Sequence, residues 1–174
     1  MGKQISAIDI KKLWYCDPLT KAPVSGEEVI SAATEIKNVH QDTWQIEESE
    51  ASQDSYKNQL TGATYRMGSK NMGDVTFTFT IGRYDYALKA ALMGGVATDG
   101  SWARARGIVE IKKCLVALTE DDVYCILPYA NIQAREANTD GAVGISVTGT
   151  MLEPEVESIM PEYWFNAGVT PTED

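Results

Sequence analysis

The chain has 174 residues, 44% of them hydrophobic, and a formal net charge of −10. That suits the core of a single domain, but not a surface that grips nucleic acid, because phosphate binding needs clustered Lys and Arg. No apolar run approaches the ~20 residues of a membrane span and no charged-then-apolar leader opens the chain, so the expectation is a protein without a membrane anchor that stays where it is made.

The stretch "QISAIDIKKLWY", residues 4–15, predicts an N-terminal strand ended by Asp17-Pro18. Residues 26–37 predict a short helix: Ser25 with Glu28 three residues later forms a capping box, and Val29, Ala33 and Ile36 share one face. "DTWQIEE" predicts a strand with Trp44 and Ile46 on one side. Residues 49–73 are polar and rich in Gly, Ser and Asn, yet carry Tyr56, Leu60, Tyr65, Met67 and Met72. So long a connection is expected to be functional rather than a linker. Its aromatic and Met residues either fold back on their own core or meet another chain.

"GDVTFTFTIGR" alternates Val75, Phe77, Phe79 and Ile81 with Thr76, Thr78 and Thr80. Period two gives one apolar face and one threonine face. That face is either an ordinary solvated surface or one that must stay wet, smooth and uncharged. A helix follows from about Asp85 to Met93, with Tyr84, Leu88, Ala91 and Leu92 on one face and Gly94-Gly95 as its stop. Residues 96–107 read as a second loop holding Trp102, Arg104 and Arg106.

Two further strands flank a Glu120-Asp121-Asp122 turn. "GAVGISVTGTML" then repeats the threonine pattern, with Val143, Ile145, Val147 and Met151 against Ser146, Thr148 and Thr150. "EPEVESIM" predicts a short helix begun by Pro154, followed by "YWF" at Tyr163–Phe165. The expected fold is mainly β: an antiparallel sandwich or barrel of about six to eight strands with one flanking helix and the 49–73 loop. Residues 1–165 would form one domain, with an N-terminal arm within 1–25, and residues 166–174 a flexible tail.

Little in the chain points to catalysis. His40 is the only histidine, and a lone His in a polar turn is most often just that. Cys16, Cys114 and Cys125 are an odd, widely spaced set that fits reduced thiols better than a disulfide framework or a zinc site. Cys114 and Cys125 sit in strand-like runs, where a small buried hydrophobe is the default. "GSKNMG" has phosphate-loop glycine spacing without the Lys-Ser/Thr that must follow. The adjacent carboxylates Glu47-Glu48 and Asp121-Asp122 point apart in a strand or into water in a turn. Arg104 and Arg106 read as ion-pair partners for an acidic surface. No catalytic, metal or cofactor-binding residue is expected, and no cofactor.

The ordered pattern of the polar segment, the Thr-rich strand, "IGRYD" into a helix, the Gly-Gly stop, the late "SVTGT" strand and a closing "PEYWF" covers residues 40–165. In that order it resembles the major tail tube proteins of long-tailed bacteriophages, which are related in fold to the tube proteins of type VI secretion and contractile injection systems. The resemblance implies a homo-hexameric ring whose sheets join edge to edge, rings stacked into a tube, and a genome that passes through without specific binding. It also implies a virion-tail location after synthesis in the host bacterial cytoplasm, with tape measure and tail terminator proteins as further partners.

On that footing the lumen candidates are Thr76, Thr78, Thr80, Ser146, Thr148 and Thr150, among acidic neighbours. The inter-subunit or stacking candidates are Tyr56, Leu60, Tyr65, Arg66, Met67, Met72, Trp102, Arg104 and Arg106. The helix at 26–37 lies outside the recognised span. The stretch after Phe165 is too short for an added surface domain. The competing readings are the tube protein of a secretion or injection apparatus, a monomeric β-barrel that binds a small ligand, and, least favoured, an enzyme.

Overall fold

A computed structural model describes residues 2–168. In chain order they form β1 (Ile10–Cys16), α1 (Gly26–Ile30), β2 (Thr34–Ile36), β3 (Gln45–Glu48), β4 (Ser52–Lys57), β5 (Thr64–Asn71) and β6 (Val75–Ile81). There follow α2 (Tyr86–Met93), β7 (Val96–Thr98), β8 (Ser101–Ala103), β9 (Ile111–Thr119), β10 (Val123–Thr139), β11 (Ala142–Met151) and β12 (Tyr163–Asn166). The main sheet is antiparallel, in the order β2-β1-β9-β10-β11-β6-β3, with β12 added against β10. It curls strongly into a half-barrel. The fold is mainly β, as the alternating patterns predicted.

Alternation decides which way each strand faces. Val75, Phe77, Phe79 and Ile81 of β6 are buried and the threonines between them half-buried. Phe77, Phe79, Ile81, Ile145 and Val147 share one cluster with Leu13, Ile36, Leu115, Ala117, Cys125 and Leu127. Strands from both ends of the sheet can meet in this way only across its concave side. Leu92 of α2 closes the same cluster, and Trp44 and Phe79 each lie edge-on to Phe77, with centroids 5.7 and 6.0 Å away. The opposite face of β1, β9 and β10 is apolar too. Trp14, Cys114, Val116, Tyr124 and Ile126 lie there under Val29 of α1, with the stacked pair Tyr163–Phe165 of β12 beside Ile126 and Tyr124. Burial on both faces explains why 114–118 and 123–127 are almost continuously apolar.

The long β10 serves two neighbours in turn. Its first part lies between β9 and β12, and its second part pairs with β11. The change falls at a register shift between Leu127 and Ala130, where Pro128 costs no ladder bond. At the far end Asp140 and Gly141 both take positive φ, 48° and 83°, which makes the two-residue turn of a tight hairpin.

Several predicted boundaries move. The N-terminal strand begins at Ile10 rather than at residue 4. The helix predicted over 26–37 ends at Ile30. Ser25 does cap it, its Oγ accepting from the Glu28 N–H at 3.2 Å, but Glu28 reaches back to the Val24 N–H instead of to Ser25. Thr34–Ile36 then pairs with β1, placing Ile36 opposite Leu13; burial of that β-branched residue in the concave core outweighs another helical turn. The flanking helix predicted from Asp85 is α2, with Asp85 as its N-cap. "EPEVESIM" forms turns rather than a helix, with only Ile159 deeply buried. Asn166 pairs with Val123, and the Ala167 and Gly168 N–H groups donate to the Asp122 carbonyl and to Glu27 Oε1, so order continues past Phe165; residues 169–174 of the predicted tail lie outside the described residues.

Candidate functional site

The two threonine-patterned strands are direct neighbours, and their hydroxyls are in register. Thr76 lies opposite Thr150, Thr78 opposite Thr148, and Thr80 opposite Ser146. Directly opposed residues of an antiparallel pair share a face, so six hydroxyl residues form three cross-strand pairs on the convex side. The rows continue outward: Glu47 and Gln45 of β3 stand opposite Thr76 and Thr78, and Asn131, Gln133 and Arg135 of β10 stand opposite Thr150, Thr148 and Ser146. Lys112 of β9 extends the row at Asn131. No apolar side chain interrupts these rows. The hydroxyls of Thr76 and Thr78 donate to the Glu47 and Gln45 carbonyls at 3.5 and 3.4 Å, which holds their methyl groups in fixed directions.

The convex side is thus divided. Over β1, β9 and the start of β10 it is apolar and roofed; over β3, β6, β11 and the end of β10 it is polar and bare. Charges of both signs border the rows: Glu47 at one end, Arg135 and Lys112 at the other, with Glu110 and Glu155 close to Lys112.

The predicted 49–73 loop is instead a β-hairpin, β4 with β5. It is the outer part of a longer ribbon whose base is β3 with β6. Glu48 pairs with Val75 and Ser52 with Asn71 in the same register. Between them the Ser49 N–H donates to the Asp74 carbonyl at 2.9 Å and the Asp74 N–H to Ser49 Oγ at 2.8 Å. Gly73 is required at this waist, since a Cβ there would sit 1.8 Å from the Ser49 carbonyl oxygen. Beyond the waist the ribbon projects as an arm, with every residue of β4 exposed.

On the arm Tyr65 and Met67 share one face, Leu60 stands at the tip 93% exposed, and Met72 is exposed at the base. Tyr56 and Arg66 are opposite partners on the arm, the guanidinium 5.1 Å from the ring centroid. They engage each other rather than standing free.

The predicted 96–107 loop is a second small hairpin, β7 with β8. Trp102 faces inward on its own chain: its indole N–H donates to the Gly94 carbonyl at 2.9 Å, and Lys89 Nζ lies 4.3 Å from the ring centroid. Arg104 reaches Glu136 at 3.4 Å, beside the 2.8 Å Lys89–Glu136 pair. Both are therefore tied into the joint between α2 and β10. Arg106 is exposed.

His40 pairs with Asp140 at 2.9 Å. Glu47 lies in the hydroxyl rows and Glu48 opposite Val75, so the two diverge. Asp121 accepts from the Ser6 N–H and Asp122 from Lys11 Nζ, each at 2.6 Å, which lays the first residues along the 120–122 turn of the same chain. Lys11 holds the Asp122 carboxyl below its ordinary pKa. Among the described residues no three His, Cys, Asp or Glu side chains converge as a metal site, and no helix is long and apolar enough to cross a membrane. A groove of about 680 Å³ opens beside Tyr15, Thr34, Arg83, Asp85 and Leu88, away from the hydroxyl rows. No protein-family model matches the chain, and no curated protein matches it.

Proposed function

We propose that this protein is a structural subunit of a phage tail tube: copies close into stacked hexameric rings, and the bare convex face is turned to the channel. The observation that carries the reading is the in-register pairing of Thr76, Thr78 and Thr80 with Thr150, Thr148 and Ser146. A conduit for DNA needs a wall that is wetted but holds no phosphate. Three rows of neutral hydroxyls, with Glu47 against Arg135 and Lys112, offer no cluster of cations to grip a backbone.

Two other features support assembly. The main sheet ends in the short strands β2 and β3, whose outer edges carry unpaired backbone groups suited to another sheet. The arm places Leu60, Tyr65 and Met67 far from the body, where they satisfy nothing within their own chain. Ring closure pairs the edges, and stacking covers the arm.

Negative-stain electron microscopy of the purified protein over a concentration series, with light-scattering mass on the same samples, tests this. Sixfold rings or hollow tubes are expected at high concentration or with a tail initiator added. Monomers under both conditions would overturn the proposal.

A further inference from the structure

The sheet sorts the three cysteines by face. Cys125 lies in the concave core. Cys16 and Cys114 lie on the opposite face, with Trp14 and Val116, and are direct cross-strand partners of β1 and β9. Residues so opposed have Cα atoms about 4.5–5.5 Å apart, within the roughly 4.4–6.8 Å that a disulfide spans. All three thiols are free.

The two partners are unequal. Cys114 is fully buried; Cys16, at the strand end, is partly exposed and lines an open groove of about 480 Å³ with Asp17, Leu19, Lys21, Pro23 and Val29. A hydrogen bond from the Cys114 thiol holds the Cys16 thiol below its usual pKa; the same bond, with burial, pushes Cys114 up. Lys113 and Asp17 flank the pair, joined at 2.9 Å.

We propose that Cys16 and Cys114 form a reversible dithiol–disulfide site, oxidised through Cys16 by a low-molecular-weight disulfide of the glutathione type that enters this groove. The Cys16 thiolate attacks one sulfur of the reagent. Its S–S bond breaks, one thiolate leaves, and a mixed disulfide remains on Cys16. Cys114 then gives up its proton, which ends on the second departing thiol, and its sulfur attacks that of Cys16. Two protein thiols are oxidised to one disulfide, and the reagent disulfide is reduced to two thiols. The crosslink closes a loop of roughly a hundred residues, a length at which it restricts the unfolded chain strongly. Cys125 has the sheet between it and the pair and takes no part.

The test uses the native full chain and does not depend on tube assembly. Protein is incubated with oxidised glutathione at mildly alkaline pH, quenched with acid, denatured and alkylated with a maleimide, and intact and peptide masses are read. One alkylated thiol per chain, on Cys125, with a Cys16–Cys114 peptide is expected. Cys114→Ser should stop at one glutathione on Cys16, and Cys16→Ser, at the more exposed position, should leave both remaining thiols free. Three alkylated thiols in the treated native protein, a persistent glutathione adduct on the unmutated chain, or a crosslink to Cys125 would each overturn the proposal.

Discussion

Lys89 shows how a single side chain ties elements together without any sequence period announcing it. It is 8% exposed, and its ammonium lies between the rings of Tyr84 and Trp102 and pairs with Glu136. Its methylenes fill space under the small hairpin while the charge is met on three sides. Lys89→Ala removes packing and charge together and should cost about 2 kcal/mol of stability in urea unfolding. Lys89→Met keeps the stem and should cost about 1 kcal/mol or less.

The pH response separates the two effects. Lys89, then Arg104, holds the Glu136 carboxyl below its ordinary pKa, so this contribution is complete above the unfolded carboxylate value and is lost as pH falls through the lower folded value. Both Lys89 variants should show a shallower loss of stability on acidification than the parent protein. The partners of Trp102 and Arg104 within the chain, at 89 and 136, are remote in sequence, and a Trp near two arginines carries no mark of them.

At the scale of elements, strands with one buried face were legible and the arm was not. β6 and β11 alternate because one side meets the concave core. β4 and β5 face water on both sides, and their pairing shifts between Gln53 and Ser55 and again between Tyr56 and Lys57, so neither burial nor register imposes a period of two. The Asp140-Gly141 turn, by contrast, has a plain local signal, an Asp-Gly pair between two strands. "EPEVESIM" suggested a helix by its opening Pro154, but so short a segment needs an apolar face to hold it, and only Ile159 is deeply buried.

The arm's isolation yields a prediction of its own. Replacing residues 52–71 by a tight turn removes exposed residues that pair only with one another, so the body should keep its circular dichroism and its melting temperature within a few degrees. Ring stacking should be lost, seen as single rings or monomers where the parent forms tubes. A collapse of the fold would show that the arm supports the sheet base instead.

At the scale of the whole molecule, one chemical pattern separates an inside from an outside on each strand, and the register then builds a surface that neither strand contains alone. Thr78 and Thr148 are opposite partners at the centre of the bare face, half-buried and pointing away from the core. Lysine there keeps its stem along the sheet and its ammonium in water, so Thr78→Lys and Thr148→Lys should each change stability by about 0.5 kcal/mol or less. If six copies enclose a channel with this face inward, the double variant adds a ring of twelve cations to its wall by the sixfold arrangement, and cations on a wall hold phosphate. Assembly should then proceed as in the parent while genome delivery falls, the defect easing as salt rises and screens the contacts. Tubes of normal appearance with undiminished infectivity would place the hydroxyl rows on the outside of the tube. Loss of the tubes themselves would place those rows in a subunit contact.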